Sequence, residues 1–195
     1  MIRKAGLVLI AALGAVFPVR AEPFHHPYGE WREYHRDWLA ACPDAINEDA
    51  TDFYGVSCFA STGSAELNSA GLPAYKLTIM RNRLSGDMDV AITLAADKDD
   101  TDMRRPLTLS FGGGLVESFD FETDLETRYN TTNQFYIADP VRKAKLLDLM
   151  SERNAVMLGL PLTTPLPNKQ VRLSLRGVLG SIDFMATYSR RVADY

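Results

Sequence analysis

The 195-residue chain has few of the side chains on which most enzymes rely. It holds three histidines, at positions 25, 26 and 35, and two cysteines, at 42 and 58. Hydrolysis by a serine or cysteine nucleophile needs a positioned base, and no imidazole follows His35. There is no Gly-x-Ser-x-Gly, no dinucleotide-binding glycine pattern and no cluster with metal-ligand spacing. No apolar run reaches the ~20 residues of a membrane-spanning helix. Positive charge is scarce too. Residues 1–21 hold Arg3, Lys4, Arg20 and no acid, so the remainder has 18 Lys and Arg against 25 Asp and Glu, a net charge of −7. A basic face for nucleic acid or anionic lipid is disfavoured.

What is present begins with an address. Arg3 and Lys4 precede an 11-residue apolar run, Leu7 to Phe17. Pro18 breaks it, and Val19-Arg20-Ala21 places small residues where a signal peptidase reads. Residues 1–21 are therefore expected to be an export signal. No cysteine lies near the cleavage point for lipid attachment. The expected location is the periplasm or the exterior, with no transmembrane span in the mature chain. Residues 22–30, with two prolines, two histidines and a glycine, read as a flexible leader. Residues 31–195 read as a single β-rich domain, large enough to bury its own core.

In an oxidising compartment an even, small cysteine count reads as a disulfide, here Cys42 with Cys58. A reactive thiol or half a metal site are the alternatives, and both lack downstream partners. Two acidic runs stand out: Asp97, Asp99, Asp100 and Asp102, then Asp120, Glu122, Asp124 and Glu126. The first lacks the turn glycine of a calcium loop and runs into Arg104-Arg105. Solvated loops are the simpler reading. His25-His26 on a loose segment makes a weak transition-metal site at most. No metal and no cofactor are expected.

Alternation supplies the elements. Trp38, Ala40 and Cys42 fit a strand, whereas the polar stretch Glu30 to Arg36 fits a helical turn. Phe53 to Ala60, Ala74 to Met80 and Met88 to Leu94 follow as strands. Leu107, Leu109 and Phe111 share one face of another strand. Gly112-Gly113-Gly114 then reads as a hairpin turn, because no Gly-Lys-Ser/Thr ending or helix follows. Leu115 to Phe121 returns, and the four alternating acids from Asp120 to Glu126 are expected on one wet strand face. Asn133 to Ile137 is a shorter strand. Asp139-Pro140 starts a helix reaching about Arg153, with Val141, Ala144, Leu146 or Leu147, and Met150 inward and Arg142, Lys143 and Lys145 in water. Ala155 to Leu160 and Gln170 to Leu175 are strands around the proline-bearing loop Thr163 to Asn168. Ser181 to Tyr188 fits strand or helix and leans to a short helix or irregular closing segment. The fold class is mainly β, an antiparallel β-sandwich-like single domain with one α-helix in its C-terminal half.

Two motifs carry a resemblance. Trp38-Leu39-Ala40-Ala41-Cys42 precedes a second cysteine strand, Gly55-Val56-Ser57-Cys58-Phe59, and Leu173-Ser174-Leu175-Arg176-Gly177 precedes an apolar end. The order of elements resembles the invasion-associated locus B family of bacterial exported proteins. That resemblance implies a β-sandwich-like domain without an established catalytic site, named for a role in host-cell entry in some pathogens. The family often has a second cysteine pair ahead of the helix, and Arg128 to Ile137 has none.

The leading functional expectation is a non-enzymatic exported β domain. It would bind an envelope or extracellular protein partner and no nucleic acid. One alternative is a glycan-acting enzyme using carboxylates among Asp120, Glu122, Asp124 and Glu126. Another is a β fold that carries a small ligand or lipid in a cavity between its sheets.

Overall fold

The computed structural model describes residues 22–50, 52, 55–163 and 168–190. The expected signal, residues 1–21, lies outside the described residues, as do Phe53 and Tyr54 of one expected strand and Thr164 to Pro167 of the proline loop.

Two antiparallel sheets face each other. The larger is built from β1 (Phe24–His26), β2 (Glu30–His35), β3 (Trp38–Pro43), β4 (Ser57–Gly63), β5 (Tyr75–Asn82) and β6 (Met88–Leu94) in sequential order. It is completed by β10 (Gln134–Ile137) and then β9 (Leu125–Glu126) beyond β6. The smaller sheet comprises β7 (Leu107–Ser110), β8 (Val116–Phe119), β11 (Ala155–Pro161) and β12 (Asn168–Ser174), ordered β12-β11-β7-β8. Helices α1 (Pro140–Glu152) and α2 (Val178–Tyr188) complete the fold. This is the expected antiparallel sandwich-like class, and α2 is the closing segment that the sequence left between strand and helix.

The core follows from period-two alternation. Trp38, Ala40 and Cys42 on β3, Leu77 and Ile79 on β5, and Val90 and Ile92 on β6 all point inward and are buried. They meet Leu107, Leu109, Val156, Leu158 and Leu173 of the smaller sheet. At about 1.5–3 kcal/mol for each fully buried aliphatic side chain, this layer supplies the main stabilisation. Gly112, Gly113 and Gly114 have φ of 79°, 62° and 82° and close the β7–β8 hairpin as expected. In α1 the Asp139 side chain accepts a hydrogen bond from the Arg142 amide at 2.8 Å, with Pro140 in the first turn.

Several expectations are corrected. Glu30 to Arg36 is not a helical turn. Trp31, Glu33 and His35 alternate with Glu30, Arg32 and Tyr34 along β2, which pairs with β3 from Glu30↔Pro43 to His35↔Trp38. Its charges mislead because a strand this near the sheet edge has one solvated side. Residues 22–30, expected as a flexible leader, contain strand β1, paired Phe24↔Arg32, His25↔Trp31 and His26↔Glu30.

Asp120 to Glu126 is not one strand face either. β8 ends at Phe119, the chain turns at Asp120–Asp124, where the Asp124 amide donates to the Asp120 carbonyl at 3.0 Å, and β9 takes it across to the other sheet. Phe121 and Leu125 anchor that crossing in the core. On α1 the inward residues are Leu146 and Met150, whereas Ala144 and Val141 are exposed, Val141 at 76%. The helix cations are paired rather than free in water: Arg142 with Asp124 (2.8 Å), Lys143 with Asp89 (2.5 Å) and Lys145 with Glu117 (2.6 Å).

Candidate functional site

The sequence-singled residues fall into three places. Cys42 and Cys58 are joined by a disulfide, with Cα atoms 4.2 Å apart. They lie on adjacent strands, where Ala41 pairs with Phe59 and Ala40 with Ala60, so the bond links two inward residues across β3 and β4.

The acids disperse. Asp97 receives the Ser69 amide, Asp99 meets Tyr75 and Lys169, Asp100 accepts from the Thr163 hydroxyl at 2.8 Å, and Asp102 meets Arg104 and Arg105. Of the second run, Asp124 bonds the Asp120 amide at 2.9 Å and pairs with Arg142, while Glu126 pairs with Arg128. The Asp120 amide and then Arg142 hold the Asp124 carboxyl below its usual range. Burial alone would raise Asp89, yet Lys143 and Arg128 lower it on balance. Asp99, Asp102, Asp124 and Glu126 are held in ion pairs, Asp97 and Asp100 in hydrogen bonds, and Arg128 joins Glu126 to Asp89. Among the described residues, no group of three or more His, Cys, Asp and Glu side chains is placed to hold a metal ion.

The two motifs meet. The Trp38 indole donates to the Ser174 carbonyl at 2.9 Å, and the Asp37 amide donates to the Arg176 carbonyl at 3.3 Å. Asp37 also accepts from the Ser174 hydroxyl (2.5 Å) and the Arg176 guanidinium (2.9 Å), which in that order lower its pKa. Gly177, at φ +113°, begins α2 where a Cβ would lie 1.8 Å from the His35 carbonyl oxygen. The motifs thus clamp the β2–β3 turn of one sheet to the exit of β12 in the other. Their role is structural.

A concave site lies elsewhere, on the outer face of the larger sheet. Cross-strand register lines up Phe24, Arg32, Ala41, Phe59, Met80 and Asp89 in one row of that face. A neighbouring row runs Tyr34, Leu39, Ser61, Thr78, Ala91, Tyr136 and Glu126. At the β1–β2 end a cleft of about 570 Å³ is lined by Arg32, Pro43 and Phe59, by the Tyr28–Glu30 turn, and by Ala45, Asn47, Ala50, Asp52 and Gly55.

Both walls are tied down. The Asp44 amide donates to the Gly29 carbonyl at 2.8 Å, and the Asn47 amide to the Gly55 carbonyl at 2.7 Å. Arg83 reaches the Pro43 carbonyl at 2.5 Å beneath them. Tyr28 is 83% exposed, yet its ring contacts His26 edge-on (4.6 Å) and Arg32 across its face (5.9 Å). Sequence reasoning missed this site because residues 22–30 read as loose chain. The alternation of Glu30, Arg32 and Tyr34 was the available signal.

Three of the four sheet edges, those at β1, β8 and β12, are partly covered. Pro23 and Pro27 flank β1, and Arg142 covers the Ser118 carbonyl at the β8 edge. Trp38 covers Ser174 at the β12 edge. Among the described residues no helix is long and apolar enough to cross a membrane.

No family model matches the sequence, and no curated protein matches it. Among solved structures, the chain is similar to the crystal structure of invasion associated protein B from Bartonella henselae, with a TM-score of 0.56 and 13% identity. The match covers 82% of this chain and 99% of that one, which establishes a shared fold.

Proposed function

We propose that the chain is an exported, non-enzymatic binding domain of the cell envelope, of the invasion-associated locus B type. In that reading residues 1–21 are the export signal, and the β-rich domain begins with the strand Phe24–His26 that follows it. The observation that carries it is the likeness of fold to invasion associated protein B, which spans nearly all of that protein. The disulfide supports an oxidising compartment, because such bonds persist there and are rare in the cytosol. The engagement of Asp124 by Arg142 and of Glu126 by Arg128 supports binding over catalysis. The described cleft lies on the outer sheet face, where recognition at a surface would place it.

Two measurements test it. Residues 1–30 fused to an alkaline phosphatase lacking its own signal should give active, exported enzyme, and an inactive cytoplasmic fusion refutes export. The purified domain should turn over neither glycan nor peptidoglycan substrates. Turnover abolished by Glu122→Gln or Asp124→Asn would establish the carboxylate enzyme in its place.

A further inference from the structure

The outer face of the smaller sheet departs from the chain's average charge. Strand register puts Val116, Ser110, Met157 and Arg172 in one row across it. The next row is Ser118, Thr108, Gly159 and Gln170. At the two ends of the β11–β12 pair, Ala155 stands beside Ser174 and Pro161 beside Asn168. Among the described residues of these strands, no carboxylate lies on this face, although residues 22–195 hold 25 Asp and Glu against 18 Lys and Arg.

The charge that is there is arginine. The ladder continues past the strand ends, where the Leu175 amide donates to the Asn154 carbonyl at 2.9 Å. By alternation this sets Arg153 opposite Arg176, on the same face as Arg172. Arg36 is next to them, because the amide of its neighbour Asp37 donates to the Arg176 carbonyl at 3.3 Å. All four arginines are exposed. Asp37 pairs with Arg176 at 2.9 Å, whereas among the described residues Arg36, Arg153 and Arg172 are in no ion pair. Glu152 ends α1 before the face begins. Composition disfavours a basic face, and strand register collects one at this end of the sheet.

Guanidinium groups are planar forks that match phosphate oxygens in pairs and stay charged throughout the physiological range. The ground beyond them is flat, since Ser110, Thr108 and Ser118 are short and Gly159 has no side chain. At the far edge, roughly 14 Å away across four strands, Val116 is 54% exposed and the adjoining Leu115 40%. Cations combined with exposed aliphatic groups are the composition of peripheral membrane contacts. A flat face suits a planar anionic surface better than a peptide, which is held in a groove.

We propose that this face docks on an anionic, phosphate-bearing lipid surface, with Arg36, Arg153 and Arg172 as the phosphate partners. The proposal rests on the envelope reading above and names the surface bound.

The test is co-sedimentation of the mature domain with vesicles of equal parts phosphatidylglycerol and phosphatidylcholine, and with vesicles of phosphatidylcholine alone. The mixed vesicles should carry the domain down in low salt and release it in high salt, and the neutral vesicles should leave it in solution. Arg153→Gln combined with Arg172→Gln should weaken binding about 25-fold, at about fivefold for each arginine. Lys98→Gln combined with Arg104→Gln is the matched control. Both are exposed and lie at the other end of β11, where the Asp102 amide donates to the Pro161 carbonyl and the Thr163 amide to the Asp100 carbonyl. That pair removes the same charge and should leave binding within about twofold. Circular dichroism checks that both double variants are folded.

No sedimentation with the mixed vesicles overturns the proposal. Equal losses in the two double variants overturn it as well, because they would report net charge and not this face. If the domain ignores vesicles but binds polyglutamate through Arg153 and Arg172, the lipid surface fails and an acidic polypeptide takes its place. None of these results touches the export reading, which the phosphatase fusion tests by itself.

Discussion

Gly177→Ala isolates the junction between the two sheets. A methyl group there would sit 1.8 Å from the His35 carbonyl oxygen and 2.8 Å from its carbon, both backbone atoms of the β2–β3 turn. The residue also has φ +113°, a conformation that side-chain-bearing residues rarely adopt. Backbone strain at such a position costs about 1–3 kcal/mol. Relieving the clash requires the turn and the start of α2 to part. That parting loosens the Trp38 indole bond to Ser174 and the Asp37 amide bond to Arg176, at about 1 kcal/mol each. Together these give a loss of about 3–5 kcal/mol, a large share of the 5–15 kcal/mol typical of a folded domain. Gly113→Ala is the matched control, since Gly113 has φ +62° in the β7–β8 hairpin with nothing within 4 Å of a new methyl. It should cost only about 1–2 kcal/mol, the price of the left-handed conformation. Urea unfolding of both variants, followed by circular dichroism at equal slope, measures the difference. Equal losses in the two variants would refute the claim that Gly177 holds the sheets together.

Other outcomes follow from the same structure. Leu146→Ala, which empties a fully buried position on α1, should cost about 2–5 kcal/mol in urea unfolding, and Val141→Ala should change stability by less than about 0.5 kcal/mol. Ile92→Asp, burying an unpaired charge in the central strand β6, should leave no cooperative unfolding transition at room temperature. Paired Cys42→Ser and Cys58→Ser substitutions should lower stability by about 3 kcal/mol, the loop-closure value for a bond of this span, read as a shift in the unfolding midpoint. Asp37, Asp89, Asp99 and Asp124 all have folded-state pKa values below the usual 3.8. Their contribution to stability is therefore complete above about pH 5 and is lost as pH falls below 4 through the lowered values. Thermal unfolding between pH 6 and pH 2.5 should show that loss, and Asp89→Asn should flatten part of it.

Legibility followed burial. The inner strands were readable because one face is wholly apolar: Leu77 and Ile79, or Val90 and Ile92, alternate against Thr78 or Ala91 without interruption. The α1 start was readable because Asp139 and Pro140 act locally. Elements near the edge were not. β2 carries Glu30, Arg32, Glu33 and His35, and its strand state depends on pairing with β3 and on α2 behind Trp31, against which the alternation of Glu30, Arg32 and Tyr34 is a faint local signal. The tail from Ser181 was ambiguous because Ile182, Phe184, Ala186 and Tyr188 alternate as in a strand. Its buried stripe of Val178, Ser181, Phe184, Met185 and Tyr188 is helical. The acids from Asp120 to Glu126 alternate in sequence as a strand would, but Phe121 and Leu125 need the core, and reaching it from β8 forces the turn.

The cleft was illegible for a different reason, which also bears on what a resemblance can convey. Trp38, Ser174 and Gly177 carry the likeness in sequence, and each is explained by the inter-sheet junction: an indole hydrogen bond, a hydroxyl on Asp37, a missing Cβ beneath His35. The disulfide pins β3 to the neighbouring β4. Residues under such constraints report the fold, and they do so in any protein built on it, whatever that protein binds. Tyr28, Asn47 and Asp52 lie outside that junction. They lie in a turn and a loop on the solvent side of the sheet, where the scaffold tolerates change and recognition resides. Two chains can therefore share the junction and the sandwich at 13% identity and still differ at every residue that meets a ligand. The motifs that reveal the fold therefore carry no information about what the chain binds.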